Sequence, residues 1–581
     1  MHGRSTQNRH SGPKNFNGPA ARAGHDDIAV ASCQRTHLSN VRVPHNARTA
    51  RKIFQDPIQY YQLEKWIAPR GQQRTSQQEE EYMGSNSRES LLRWSYISTL
   101  STASLQLIAA TVITRFLKPS DYGLAAMAMV CSNLASYFTQ LGMDRAIIQR
   151  PDLTEGNIQA ALTASLATGL VGFTGLAAAS HGLALYFREP RLPGIIIAFG
   201  LNLLFQSFAM IAGGLLRREL QIRKLAICDI AAYLLSTFGL GLPLAMKGYG
   251  VWALVASNVS QTLFAAIGYY IARRHSVRLT FVRENFRDIT GFGAKVSVTT
   301  MVEALSGSAD TLVLGRLVSP QVLGLYNRSL TLSMQPIYAL STGLSRVFHP
   351  SIARAAERTL AECRSMLQSS EQQLMGVILP VCIGAAVAAP TLIPAIFGRQ
   401  WAGSIPVYQA LCIDAALDAS FHLPTIQLEV LSRFRAKLIV QVLYGMVLAA
   451  SAVVAAPRGI VMVAYVFVVL QFLRTLWLHW LSARSLGTSL FKLLNSWVPG
   501  ALCGAIVGGV VYTLQTSISR FRPDTPLLFR LLLLIFAGLA VGTLLYRMFF
   551  YDSMFQPWAS VFGGVRGRTA VVQIQEEVGV A

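Results

Sequence analysis

Ionisable side chains in apolar surroundings are costly, so those inside long hydrophobic stretches are the first candidates for chemistry. Three groups stand out. Thr299, Glu303, Ser306 and Asp310 follow one another at spacings of 4, 3 and 4 residues, which puts them on one face if the stretch is helical. Asp414, Asp418 and His422 are four residues apart and again share a face. Arg115, Arg316, Arg328 and Arg474 lie within apolar stretches or at their ends.

Each pattern has two readings. A helical face of hydroxyls and carboxylates suits the wall of a water-filled cavity, or a hydrogen-bonded seam between helices. Neighbouring carboxylates raise each other's proton affinity, and histidine changes charge near neutral pH. Asp414, Asp418 and His422 therefore form either a proton or cation site, or a fixed polar network. Guanidinium groups offer the charge and the multiple donors that a diphosphate needs. Arg328 and Arg474 are placed to reach a central cleft or to snorkel to a membrane surface. Arg115 and Arg316, at the ends of stretches, fit a helix-terminal or packing role at least as well. Glu303, Asp310, Arg328 and Arg474 are the residues expected to line a translocation path.

Other chemistry finds little footing. There is no Walker loop for ATP, and neither a GxSxG nor an HExxH pattern for hydrolysis. None of the seven cysteines forms a CxxC pair, so neither a metal site nor a cofactor is expected. Proton or sodium coupling is the one small-ion role left open, and no enzymatic activity is expected.

The elements that carry these residues follow from composition. The chain has 581 residues, 52% hydrophobic and 14% charged, with a mean hydropathy of +0.40. Soluble domains carry about 25% charged residues, so lipid is the expected solvent. From Trp94 to about residue 547, fourteen apolar stretches of about 20 residues recur, each long enough to cross a hydrocarbon core of roughly 30 Å. The first is expected at 94–116, the seventh at 292–315 and the tenth at 404–427. The net charge of +22 reflects basic loops rather than a nucleic-acid surface. With the N-terminus inside, the inward loops carry twenty Lys and Arg residues and the outward loops eight. That bias predicts cytoplasmic termini.

An internal repeat organises the stretches. RFLKPSDYGL (115–124) aligns without a gap on RLVSPQVLGL (316–325), matching Arg115 to Arg316, Pro119 to Pro320 and Gly123 to Gly324. Six stretches separate the copies, an even number, so the halves have the same orientation and are related by an axis along the membrane normal. The expected fold is an all-α membrane protein of about fourteen transmembrane helices. It comprises a six-helix lobe at 93–288, a second at 289–483, two further helices at 484–550 and a cytoplasmic tail at 551–581. Residues 1–92 are expected to be a basic, disordered tail without a secretory signal; a start at Met83 is the alternative for the polar segment 1–82.

The stretch ITRFLKPSDYGLAAMAMVCSNLASYFTQLGMDRAIIQRPDLTEGNIQAAL (113–162) resembles the Wzx-type polysaccharide transporters. So do GGLLRRELQIRKLA (213–226), GYGVWALV (248–255) and VLGRLVSPQVLGLYNRS (313–329). Their superfamily also contains multidrug exporters and the lipid II flippase. The resemblance covers about residues 90–480. It implies a flippase that moves undecaprenyl-pyrophosphate-linked oligosaccharide repeat units across a bacterial inner membrane for exopolysaccharide, capsule or O-antigen. The implied partners are that lipid-linked oligosaccharide and membrane lipids, with polysaccharide polymerase and export machinery left open and no nucleic acid. A small-molecule exporter of the same superfamily is the alternative.

Overall fold

In the computed structural model, residues 101–140, 147, 153–280, 304–431 and 433–562 are described. Their regular structure is helical throughout. The first half holds α1 (Ser101–Ile113), α2 (Pro119–Gln140), α3 (Glu155–Phe187) and α4 (Leu192–Arg218). It continues with α5 (Ile222–Met246) and α6 (Val251–Ala272). The second half holds α7 (Ala309–Leu317), α8 (Pro320–Arg358), α9 (Leu360–Ile396) and α10 (Ile405–Val430). It ends with α11 (Phe434–Ala455) and α12 (Ile460–Ser485). Two more helices follow, α13 (Val498–Phe521) and α14 (Leu527–Phe562). The expectations for residues 1–82, for Thr299 and Glu303, and for the tail beyond residue 562 lie outside the described residues.

Nine of the described helices are long and apolar enough to cross a membrane by length and composition alone. The long helices that fall short are α2, α8 and α10, which carry polar residues such as Ser132, Asn327 and Asp414. These three pack in series, α2 on α8 and α8 on α10. Ser132 and Asp414 are accordingly buried against protein, as membrane-depth polar groups require.

Within the first half α4 packs against α2, α3 and α6; within the second α10 packs against α8, α9 and α12. Helices α13 and α14 lie on α9 and on each other. Gly500 on α13 brings its backbone against the Met375 carbonyl of α9, and a Cβ there would overlap it. Small residues permit such close approach where no hydrophobic effect drives helices together. Pro380, Pro390 and Pro394 lie inside α9 and Pro424 inside α10, as membrane helices tolerate when neighbours satisfy the freed carbonyls.

Candidate functional site

The seventh stretch is not one continuous helix. A turn at 304–307 ends at Ser308, and α7 restarts at Ala309. The break changes which way its polar residues face. Ser306 lies against Gly445 of α11, whereas Asp310, in the first turn of α7, accepts a hydrogen bond from the Tyr326 hydroxyl of α8 at 2.9 Å. Discontinuous helices are tolerated at membrane depth where backbone is buried in protein or lines a cavity.

Two of the sequence-derived groups merge into one polar centre. Arg474 of α12 donates to Asp418 Oδ1 of α10 at 2.9 Å, and Gln471 Nε2 donates to the same oxygen at 3.1 Å. His422, one turn along α10, is 3.6 Å from Asp418 Oδ2. The Arg474 guanidinium carbon lies 3.9 Å from the Phe421 ring centroid and 4.3 Å from that of Tyr444 on α11. Arg474 is thus an ion-pair partner flanked by two aromatic faces, an arrangement that suits a planar, weakly hydrated cation. Among the described residues, its Nε has no hydrogen-bond partner, and neither does Oδ1 of the buried Asp414. Asp310 and Asp414 are near enough for their charges to interact. Asp418 thus pairs directly with the one permanent cation, Asp414 lies near enough to feel its charge, and Asp310 lies near Asp414, all on helices of the second half.

Arg328 lies elsewhere. Its guanidinium carbon sits 5.0 Å from the Tyr122 ring of α2 and 4.9 Å from the Phe397 ring that ends α9. Tyr122 and Phe397 each also contact the buried Trp401 ring, at 5.4 and 5.7 Å. Arg328 belongs to the junction between the halves.

That junction is built from the repeat. Gly123 of α2 faces the Pro320 carbonyl of α8, and Gly324 of α8 faces the Pro119 carbonyl of α2; a Cβ at either position would overlap the opposing oxygen. Both helices begin with proline, whose fixed φ suits the first helical position. The two arginines repeat the exchange. Arg115, beyond α1, donates to the Ala395 carbonyl at 2.9 Å near the end of α9. Arg316, in α7, donates to the Leu185 carbonyl at 3.3 Å and to that of Tyr186, near the end of α3. Each arginine thus caps the third helix of the opposite half, where free carbonyls and the helix dipole favour a cation.

One buried pair had escaped the sequence reading: Glu371 of α9 and His479 of α12. The signal for His479 was present, because Gln471, Thr475, His479 and Ser482 recur at spacings of 4, 4 and 3. Glu371 lies two residues before the ninth apolar stretch, expected at 373–397, so the apolar window passed over it.

A two-lobed, all-helical bundle with helices long and apolar enough to cross a membrane and a buried polar centre in its second half fits a multi-pass transporter fold. The chain belongs to the polysaccharide biosynthesis protein family, whose pattern it matches over residues 112–406. It is 26% identical over 339 residues to the lipopolysaccharide biosynthesis protein WzxC of Escherichia coli K12, covering 56% of this chain and 66% of that protein. The chain thus spans just under two thirds of that relative's length. It is 23% identical over 457 residues to the teichuronic acid biosynthesis protein TuaB of Bacillus subtilis, covering 77% and 92%. Among solved structures, the lipid II flippase MurJ in an inward closed conformation superposes with a TM-score of 0.64 at 11% identity, covering 79% of this chain and 99% of that one. An inward-facing multidrug MATE transporter gives 0.52 at 15%, covering 68% and 99%. At these identities the structural likeness speaks for the fold alone.

Proposed function

We propose that the protein is a flippase that moves undecaprenyl-pyrophosphate-linked oligosaccharide repeat units from the cytoplasmic to the outer leaflet of a bacterial inner membrane. The observation that carries this reading is the reciprocal junction of the two halves at Gly123 and Gly324. A bundle closed at one end by symmetric contacts between its lobes is what alternating access requires. The names of the relatives, in lipopolysaccharide and teichuronic acid biosynthesis, support a polysaccharide precursor as the substrate. The loop charges orient the junction toward the outside.

Two features suit a lipid with a charged head. An apolar groove of about 390 Å³ runs between α9, α13 and α14, lined by Gly376, Gly384, Gly538 and Gly542 among aliphatic residues; it suits an isoprenoid chain. Arg474, in the polar centre, would meet the diphosphate. Arg474 is held by Asp418, and that carboxylate would keep the guanidinium in place between substrates. Asp414 and Asp418 beside one guanidinium leave one negative charge in excess, which a proton or sodium ion there would balance.

The test is reconstitution. Purified protein is placed in vesicles that carry lipid-linked oligosaccharide in both leaflets, and a membrane-impermeant oxidant reads the sugar facing out. With the flippase, sugar beyond the outer-leaflet share becomes accessible. Folded protein that leaves the accessible fraction unchanged overturns the reading.

A further inference from the structure

Away from the polar centre, Glu371 and His479 are completely buried, with Oε1 and Nε2 3.1 Å apart. The other carboxylate oxygen, Oε2, accepts from the Ser420 hydroxyl of α10 and from the Trp497 indole N–H, each at 3.2 Å. The other ring nitrogen, Nδ1, is 2.8 Å from the Thr475 carbonyl oxygen. A carbonyl and a carboxylate both only accept hydrogen bonds. The Ser420 hydroxyl also lies 3.4 Å from Nε2, but its single hydrogen goes to Oε2 at the shorter distance, so either neutral form of the imidazole leaves one nitrogen lone pair facing an oxygen lone pair. In a dry interior two opposed acceptors are costly. One additional proton removes the conflict. It resides on the ring, giving imidazolium beside carboxylate, or on Oε1, giving a carboxylic acid that donates to Nε2. In both cases the pair is neutral overall and holds one proton more than a neutral histidine beside a bare carboxylate.

We propose that Glu371 and His479 form a proton-binding site, separate from the Asp418–Arg474 centre, that carries one proton in the transport cycle. The site lies on a polar seam between α10 and α12. On one side, Gln471 and Arg474 share Asp418. On the other, Ser482 donates to Gln427 Oε1 at 2.7 Å, and Gln427 Nε2 donates to Ser485 at 2.9 Å. Of the charged groups on the neighbouring elements, Asp418 of α10 is engaged with Arg474 and His422 and Arg358 of α8 with Glu362 at 3.6 Å, while the buried Asp414 of α10 lies near the Asp418–Arg474 pair. On α14, Tyr546 stacks on Phe550, which covers Gly376; α13 contributes the buried Cys503. Because the carboxylate is on α9 and the ring on α12, a shift of one helix against the other parts them and leaves the shared proton no place between them.

The proton site is tested on the protein alone, and its part in transport rests on the flippase reading. The full chain is placed in nanodiscs of phosphatidylethanolamine and phosphatidylglycerol, and histidine nitrogen NMR spectra are compared with those of His479→Gln. The difference isolates the ring of His479. At neutral pH the expected result is a ring protonated at both nitrogens, or one paired with a carboxylic acid whose C=O stretch disappears in Glu371→Gln. A neutral ring of either tautomer beside an ionised carboxylate overturns the proposal. If His479→Gln does not fold, Glu371→Gln, which keeps shape and a donor, provides the difference.

In cells lacking the gene, Glu371→Gln and His479→Gln at normal membrane abundance should each lower surface polysaccharide about tenfold or more, and the double variant no further, because the two act as a unit. Wild-type output, or losses that multiply, overturns the role in transport. If the gene deletion itself leaves polysaccharide unchanged, the flippase reading fails and the spectra alone decide the proton site.

Discussion

Gly123 and Gly324 occupy equivalent positions in the two copies of the repeat, and each is pressed against the proline carbonyl that opens the other's helix. The relation is reciprocal, as it must be if a two-fold axis passes between α2 and α8. No other residue type fits, because the first atom of any side chain would occupy the space of the opposing carbonyl. Replacing either glycine by alanine should separate the helices at this end, with an overpacking cost of about 1–3 kcal/mol. Gly123→Ala and Gly324→Ala should cause similar losses of thermal stability in purified protein. Full stability in either variant would show that the junction is not tightly closed.

Arg115 and Arg316 make the same exchange through the ends of α9 and α3. Each alanine substitution should cost up to about 1.5–3 kcal/mol, the range for hydrogen bonds made by charged groups. Both substitutions should also raise the reactivity of a cysteine placed at Tyr122 toward a water-soluble maleimide in whole cells. Unchanged labelling would place the seal between the halves elsewhere.

Removing one partner of a buried ion pair costs about 3–5 kcal/mol, more than removing both. Arg474→Ala should therefore lower the amount of folded protein more than the double variant Arg474→Ala with Asp418→Ala. Asp414→Asn should behave differently. Oδ1 of Asp414 has no hydrogen-bond partner, so neutralising it should preserve or raise stability while reducing polysaccharide export. Loss of folded protein in Asp414→Asn would assign that carboxylate a structural role.

Much of this was legible in the sequence, for physical reasons that differ between residues. The helix order follows from apolar stretches long enough for a bilayer, and Pro119 and Pro320 mark the starts of α2 and α8 directly. Residues Asp414, Asp418 and His422 share a face because the helical period is local. What was not legible was contact between distant segments. Nothing local says that Arg474 pairs with Asp418, 56 positions away, or that Arg328 sits between Tyr122 and Phe397 instead of in the polar centre. The break at Ser308 was equally hidden, since spacing arguments assume an unbroken helix.

Loop charge predicts orientation. Reporters fused after Arg188 and after Thr280 should give opposite signals, external for the first and cytoplasmic for the second. Equal signals would reverse or dismantle the topology and, with it, the side to which the junction faces.

The most direct measurement is made in a strain from which the gene has been deleted and which has no second flippase gene. Lipid-linked repeat units are extracted, and their leaflet is read with an impermeant oxidant applied to spheroplasts. Flipping predicts that these lipids accumulate, that they are protected on the cytoplasmic leaflet, and that surface polysaccharide is lost until the gene is restored. Normal surface polysaccharide without accumulation would contradict the flippase assignment, and new drug sensitivity in the same strain would point to a small-molecule exporter instead.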